Sequence, residues 1–418
     1  MMKIHLDLDS FFISAERIRN PSLQGIPAAV GGRGDPFIFD KTGQSKIETI
    51  QGRGAFSPSI FYDAKSSFER YFVEGSKIRG IIITASYEAR TYGIKTGMTI
   101  REALSIYPDL IVLPPNHLYY HELSHRLKLF LQERIPVVEQ YSIDEFFGDV
   151  TGWIERDKLE SFLYKLQKEI EDRFFLPISI GAAKSKWTAK LATSFAKPHG
   201  VKIVDDIESF IQDIPIEEFP GIGRGYLKRL KALHIKSLGE TKKIKNIFYS
   251  WKKPGIQLYK RIWGEDGEPV LRDSPKKSMG ISRTIDPILD RSQIRRRILI
   301  LARYLAYNLA KLHLYPTTIH LSIKYDFGAK SKAHTKLHRL FSEKLLIETA
   351  LELLEKADIY PHSAIVRLSL RGSDFYKKES YDLLNYPIDR KLHRLLDATK
   401  KIRQKYGINE LRWGVELF

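Results

Sequence analysis

A chain of 418 residues exceeds what one hydrophobic core organises and points to roughly two to four domains. Its 43% hydrophobic and 28% charged content describes a globular protein and not a disordered one, and the lack of any cysteine excludes disulfides, thiolate metal centres and cysteine nucleophiles. Lys and Arg outnumber Asp and Glu by 68 to 50, a formal charge of +18 spread over folded segments, which favours a polyanion, most simply nucleic acid, although an anionic membrane surface or ribosomal RNA would be reached by the same electrostatics.

The N-terminal "MMKIHLDLD" meets acids at once, so no signal-peptide core is expected there, and no run of about 18 apolar residues follows anywhere. A cytoplasmic protein without membrane contact is the expectation. "KIHLDLD" alternates, with Ile4, Leu6 and Leu8 on one strand face and His5, Asp7 and Asp9 on the other. Residues 33 to 79 are rich in Gly, Pro, Ser and charge without a sustained period, and read as an insertion in an α/β frame whose own fold the pattern does not assign. Leu159, Phe162, Leu163, Leu166, Ile170 and Phe174 have helical spacing, and "LPISIGAA" then reads as a strand.

Further on, "IPIEEFPGIGRGYLKRLKAL" predicts a helix start, a tight Gly-Ile-Gly turn and a basic helix, and "WGEDGEPVLRDSPKK" has a linker's composition, placing a boundary near 265 to 277. Beyond it, "KKSMGISRTI", "TTIHLSIKYD" and "AIVRLSLRG" predict strands, with helices near 291 to 313 and 342 to 357. Alternation puts Ile319, Leu321, Ile323 and Tyr325 on one face and His320, Ser322 and Lys324 on the other, with Arg367 and Arg371 also polar-facing, so one sheet face is expected to be basic. "IDRKLHRLLDATKKIRQKYG" predicts a helix with Ile388, Leu392, Leu395, Leu396 and Ile402 on its apolar side and Gly407 as its stop.

Four clusters could carry chemistry. Asp7 on one strand and the adjacent Asp144 and Glu145 of "EQYSIDEFFGDV" would repel if brought together unless a divalent cation neutralised them, and hard oxygen ligands suit Mg²⁺ with substrate phosphates. Two such ions can activate a hydroxyl and stabilise a leaving pyrophosphate, but taken alone Asp-Glu is more simply explained as a strand ending in a turn. Thr84, Tyr87 and Arg90 of "TASYEARTYGIKTGM" offer two hydroxyls and a guanidinium for a polyphosphate, or simply start a helix with a solvated Arg. Lys197 closes "KWTAKLATSFAK", where a cation also complements a helix C-terminus. In "FPGIGRG", Gly221 and Gly223 would let backbone N–H groups approach a phosphate with Arg224, Lys228 and Arg229 beside them; the alternative is a helical hairpin with a solvated basic face.

Together, "HLDLDSFF", "TASYEARTYGIKTGM", "YSIDEFFGDV", "SIGAAKSKWTAKLATSFAKPHG" and "FPGIGRGYLKRL" stand in the order and approximate spacing of the Y-family, or translesion, DNA polymerases, and the chain resembles most the bacterial DNA polymerase IV type. The resemblance implies an α+β multidomain right hand: a ferredoxin-like palm at 1–10 and 116–204, small fingers at 11–115 with an insertion at about 34–78, a helix-hairpin-helix thumb at 205–268, a linker at 269–276, and an α/β little finger with a tail at 277–418. It implies template-directed, low-fidelity, distributive synthesis past lesions, without a proofreading exonuclease. Asp7, Asp144 and Glu145 match the carboxylates that hold two Mg²⁺ ions, replaceable by Mn²⁺, with the Leu8 carbonyl as a further ligand. Phe12 matches the steric gate against a ribose 2′-hydroxyl and Phe11 packs beside the incoming sugar, while Thr84, Tyr87, Arg90 and Lys197 match residues that bind the triphosphate. Gly221, Gly223, Arg224, Lys324, Arg367 and Arg371 are the expected DNA contacts.

A monomer acting on primer-template DNA and dNTPs is expected. The final Leu-Phe of "GVELF" resembles a tail that binds the bacterial sliding clamp, although the usual Gln is absent. The insertion departs from the short turn usual in the family and is expected to modulate access of template or lesion. Two other readings remain open: a nucleotidyl cyclase, which would not require "PGIG" or a basic C-terminal domain, and a catalytically dead DNA-binding scaffold, against which the intact acid set speaks.

Overall fold

The computed structural model describes residues 2–34, 38–39, 47–48, 61–62, 67–272, 275–375 and 384–416, and forms a mixed α/β multidomain protein. Its first sheet has the order Val201–Val204, Ile178–Ala183, Lys3–Leu8, Glu145–Asp149, Val137–Gln140, with the N-terminal strand in the centre. Ile4, Leu6 and Leu8 pack with Leu127, Leu163 and Ile170 of the helices His117–Gln132 and Leu159–Phe174. The face that carries His5 and Asp7 is covered by the helix Lys186–Ala196, so His5 is 1% exposed and its Nδ1 lies 3.0 Å from Thr193 Oγ1.

A second, three-stranded sheet runs Ile81–Ala85, Ala28–Gly32, Ile111–Leu113. Part of the predicted insertion belongs to its core. Ser67 caps a helix Phe68–Phe72, and Tyr71 and Phe72 are 1% and 0% exposed among Ala29, Ile82 and Ile100. A Cβ at Gly31 would lie 2.5 Å from the Phe72 ring, so the glycine of "AAVGG" admits that phenylalanine. Only part of the segment between 35 and 66 lies among the described residues, including the strand pair Ile47–Glu48 and Phe61–Tyr62.

The helical unit around Ile216, Leu230, Phe248 and Ile262 has its own core. The linker-like residues that follow are anchored to their neighbours. Trp187, Gln257 and Arg261 donate to Glu268, Ser185 donates to Asp266, and the Leu271 N–H donates to Glu139, which also accepts from the buried Lys186.

The last sheet is Ser278–Ile288, Ile365–Phe375, Pro316–Tyr325, Lys330–Lys336 in spatial order, and its fourth strand was not anticipated because "KSKAHTK" lacks large apolar residues. Ile319, Leu321, Ile323 and Tyr325 are buried as expected, under the helices Arg291–Lys311 and Glu343–Ala357. The final helix, Tyr386–Tyr406, does not bury the side its apolar residues suggest. Asp389, Leu396 and Arg403 face inward, whereas Ile388, Leu395 and Ile402 are 59%, 46% and 43% exposed.

Candidate active site

The antiparallel register pairs Asp7 with Glu145, and the Leu8 N–H donates to the Asp144 carbonyl at 3.0 Å. Glu145 is the first residue of its strand and Asp144 stands in the preceding turn, so the acid pair lies where the turn becomes a strand. Phe146 and Phe147, fully buried, and Ile143, packed on the same core as Phe146, fix that hairpin. The hairpin therefore sets Asp144 and Glu145 beside Asp7 at the C-terminal end of the central strand.

Each carboxylate is met by a group of the chain. Lys197 Nζ lies 2.6 Å from Asp7 Oδ1, Lys190 pairs with Glu145, and Ser142 Oγ donates to Asp144 Oδ1 at 2.8 Å. Burial lifts the Asp7 carboxyl to about 7, with Lys197 opposing and Glu145 and Asp144 adding to the rise. Asp144 is raised as well, by burial first and then by Glu145. Among the described residues, no three carboxylate or imidazole groups are gathered tightly enough to enclose a cation. The chemistry of the donor set nevertheless suits a hard divalent ion: all its ligands are oxygens, and Lys197 and Lys190 stand against Asp7 and Glu145.

Beside the acids, the strand end turns through Ser10, held at φ 47° with its hydroxyl on the Ala85 carbonyl. Arg90 Nε donates to that same carbonyl at 3.1 Å. Tyr87 opens the short helix Tyr87–Thr91, and the Arg90 guanidinium lies 4.6 Å from its ring centroid, as the three-residue spacing predicts. Thr84 sits half-buried on the adjoining strand, opposite Val30. Phe11 is 2% exposed, while Phe12 is half-buried and stacks on Tyr120 with centroids 4.5 Å apart. Asp7, Leu8, Asp144, Glu145, Tyr87, Arg90 and Lys197 thus surround the junction of the first two sheets.

The sequence reading missed Asp9. It is 1% exposed, and accepts from Tyr87 Oη at 3.1 Å, Ser179 Oγ at 2.8 Å and the His199 N–H at 2.9 Å. One carboxylate therefore ties the Tyr87 helix to the sheet and to the loop after Lys197. The signal was present, since Asp9 alternates with Asp7, but two-residue spacing gives a face and not the partners on it.

The expected DNA contacts fall in two other places. Gly221 has φ 112°, and Gly223 caps the helix Arg224–Ala232; both are exposed, as is Arg224. Gly223 is extended, so only Gly221 uses glycine's left-handed freedom. On the last sheet, Lys324 lies opposite Arg367 and His320 opposite Arg371. The unanticipated fourth strand adds Lys330, Lys332 and Lys336 to that basic face, through their register with Lys324, Ser322 and Thr318.

Sequence profiles described as the impB/mucB/samB family, its C-terminal domain and the IMS family HHH motif match residues 6–194, 276–383 and 204–235. The DNA polymerase IV of Leptospira interrogans serogroup Icterohaemorrhagiae serovar copenhageni is 30% identical over 364 residues, 84% of this chain and 88% of that protein. The chain belongs to the Y-family, DNA polymerase IV-type group. The DNA polymerase IV of Clostridium kluyveri is 29% identical over 98% of this chain and 96% of its own length. Among solved structures, a Y-family DNA polymerase chimera of Dbh and Dpo4 matches with a TM-score of 0.71 at 23% identity, covering 90% of this chain and all of that one. An insertion ternary complex of Dbh DNA polymerase matches with a TM-score of 0.58, also at 23% identity, with 90% and 100% coverage. These structures share the fold of this family member.

Proposed function

We propose that the chain is a DNA-directed DNA polymerase that carries out low-fidelity, distributive translesion synthesis by divalent-metal-dependent nucleotidyl transfer, without proofreading. The observation that carries the reading is the register pairing of Asp7 with Glu145, with Asp144 at the adjoining turn and Lys197 and Arg90 within the same junction. Family membership supports the polymerase assignment and divalent-metal dependence.

Asp7, Asp144, Glu145 and the Leu8 carbonyl would hold two Mg²⁺ ions, or Mn²⁺ in their place. When bound, the ions supply Lewis-acid activation of the primer 3′-hydroxyl and charge neutralisation at the pyrophosphate. Lys197, Tyr87, Arg90 and Thr84 bind the triphosphate, positioning its α-phosphate for in-line attack, and fixed cations near its oxygens stabilise developing charge. Phe11 packs on the sugar and Phe12 excludes a 2′-hydroxyl. Gly221, Gly223 and Arg224 grip the DNA backbone, and Lys324, Arg367 and Arg371 lie along the duplex, contacts that position without reading sequence.

In this reading residues 1–10 and 116–204 are the palm, 11–115 the fingers, 205–268 the thumb and 277–418 the little finger with its tail, joined by the linker at 269–276. The protein works as a monomer on primer-template DNA and dNTPs, with the sliding clamp as a partner of its last two residues. Primer extension with Mg²⁺ and all four dNTPs tests the central assignment. Wild type extends in a template-directed way, Asp144→Ala and Glu145→Ala each abolish extension while circular dichroism stays native, and retained synthesis in both variants refutes the metal site.

A further inference from the structure

The helix Tyr386–Tyr406 lies beyond the residues matched by the family's C-terminal profile, which end at 383. Its rotation is fixed by ion pairs as much as by apolar packing. Asp389 accepts from Arg339 at 2.6 Å, Arg403 pairs with Glu343 at 2.5 Å, and between them Leu396 enters the core. These three residues are seven apart and occupy one stripe of the helix. The residues one step before them, Ile388, Leu395 and Ile402, are consequently turned about 100° away from the domain.

Those exposed positions continue into a regular pattern. Ile388, Leu392, Leu395, Thr399, Ile402 and Tyr406 are spaced by four, three, four, three and four residues, the seam of nearly three heptads. Ile388, Leu395, Ile402 and Tyr406 are 59%, 46%, 43% and 62% exposed. Single exposed leucines are ordinary, but a seam about 27 Å long at the repeat used for helix pairing is not. Beside it lies a cavity of about 210 Å³ whose wall combines Leu392, Leu395, Leu411 and Trp413 with the Arg403–Glu343 pair.

Charge selects among occupants. Lys391, Arg394, Lys401 and Lys405 run along the open flank of the seam and are exposed. An antiparallel second copy would set these cations against their equivalents, and a parallel one would have to use the flank that Asp389, Leu396 and Arg403 already bury, which opposes self-pairing. Duplex DNA is disfavoured by the apolar seam and by position. The helix packs on Arg291–Lys311 and Glu343–Ala357, which themselves cover the sheet face opposite the one that carries Lys324, Arg367 and Arg371.

We propose that this seam docks an acidic amphipathic helix of a partner protein, its apolar residues filling the heptad seam and the cavity and its carboxylates facing Lys391, Arg394, Lys401 and Lys405. The inference is independent of the catalytic assignment, because none of these residues belongs to the active site or the expected DNA contacts.

The test uses the full chain and two synthetic 21-residue peptides with Leu at the a and d positions, one flanked by Glu and one by Lys, read by fluorescence anisotropy. The Glu peptide is expected to bind at least about tenfold more tightly than the Lys peptide. Leu395→Asn with Ile402→Asn is expected to weaken it at least about tenfold, and Lys391→Glu with Arg394→Glu to reverse the preference, with primer extension and circular dichroism unchanged in both variants. Because all four positions are exposed, folding is not at stake; a variant that loses its native spectrum is replaced by Leu395→Gln alone, judged by the same tenfold criterion. Equal binding of the two peptides, or wild-type affinity in the Asn variant, overturns the proposal. So does concentration-dependent dimerisation, or binding to duplex DNA or to vesicles containing phosphatidylserine, that disappears in the Asn variant while neither peptide binds.

Discussion

Lys197 and Asp7, 190 residues apart, form an ion pair of 2.6 Å at the end of the first sheet's central strand. The ammonium reaches the acid because the helix Lys186–Ala196 ends beside the central strand, with Lys197 as its C-cap. In the proposed function Asp7 would hold a divalent ion, and this ammonium would then be available to the triphosphate. Lys197→Ala is expected to raise KM for the incoming dNTP by about 10- to 100-fold, the loss of one charge-assisted contact, with a smaller effect on kcat. Steady-state single-nucleotide insertion checks this, and an unchanged KM removes Lys197 from triphosphate binding.

Phe12 stacks on Tyr120 with an interplanar angle of 16°, and Tyr120 is itself held by a 2.7 Å hydrogen bond to Glu16. The ring is thus supported from behind, as the proposed gate role requires. Phe12→Ala is expected to lower discrimination against ribonucleotides by about 10- to 100-fold, corresponding to the relief of a 1–3 kcal/mol overpacking clash. Relative insertion of dCTP and CTP measures it, and unchanged selectivity excludes Phe12 as the gate.

Glu416 is 2% exposed and accepts from Arg303, itself 2% exposed, so the C-terminal segment is part of the little-finger core up to that residue. Removing the last five residues to probe clamp binding would also leave Arg303 buried without its carboxylate. Glu416→Ala is expected to cost about 3–5 kcal/mol in urea unfolding. Leu417 and Phe418 lie outside the described residues, and replacing both by Ala is the cleaner probe. Loss of clamp-stimulated extension with an unchanged unfolding midpoint supports the tail as the clamp ligand, and full stimulation refutes it.

Deleting residues 37–75 would remove the buried Tyr71 and Phe72 and so collapse the fingers core. The insertion is better tested by replacing 40–66 with a short Gly-Ser linker. That variant is expected to extend undamaged templates at wild-type rates within about twofold, since the buried Tyr71 and Phe72 are kept, while its lesion-bypass spectrum changes. An identical spectrum and identical template affinity would mean that the insertion plays no part in template access.

Glu268 is partly buried, which raises a carboxyl, but donors from Arg261, Trp187 and Gln257 outweigh this and hold it below the usual 4.5. A depressed carboxyl stabilises the fold above its unfolded pKa and loses that contribution as pH falls through the folded value. Between pH 6 and pH 3, Glu268→Gln is therefore expected to show a shallower loss of stability than wild type, with the two curves converging at the acid end. Parallel curves by chemical denaturation would show that Glu268 does not anchor the linker.

The sequence by itself determined the strand that carries Asp7, the hairpin of Asp144 and Glu145, the helix ending at Lys197, and the alternation that makes one sheet face basic. Each is a local pattern, and alternation, helical spacing and five ordered motifs are local quantities. Only the tertiary structure decided what faces what. Asp9 became the knot between Tyr87, Ser179 and His199 because register and a turn at Ser10 aim it there. "KSKAHTK" became a strand because an existing edge offered it hydrogen bonds, a tertiary term absent from its own composition. The last helix is the clearest case: its apolar residues define a face, but the ion pairs Asp389–Arg339 and Arg403–Glu343 determine which face the domain claims, and those partners lie 50 and 60 residues away in the chain.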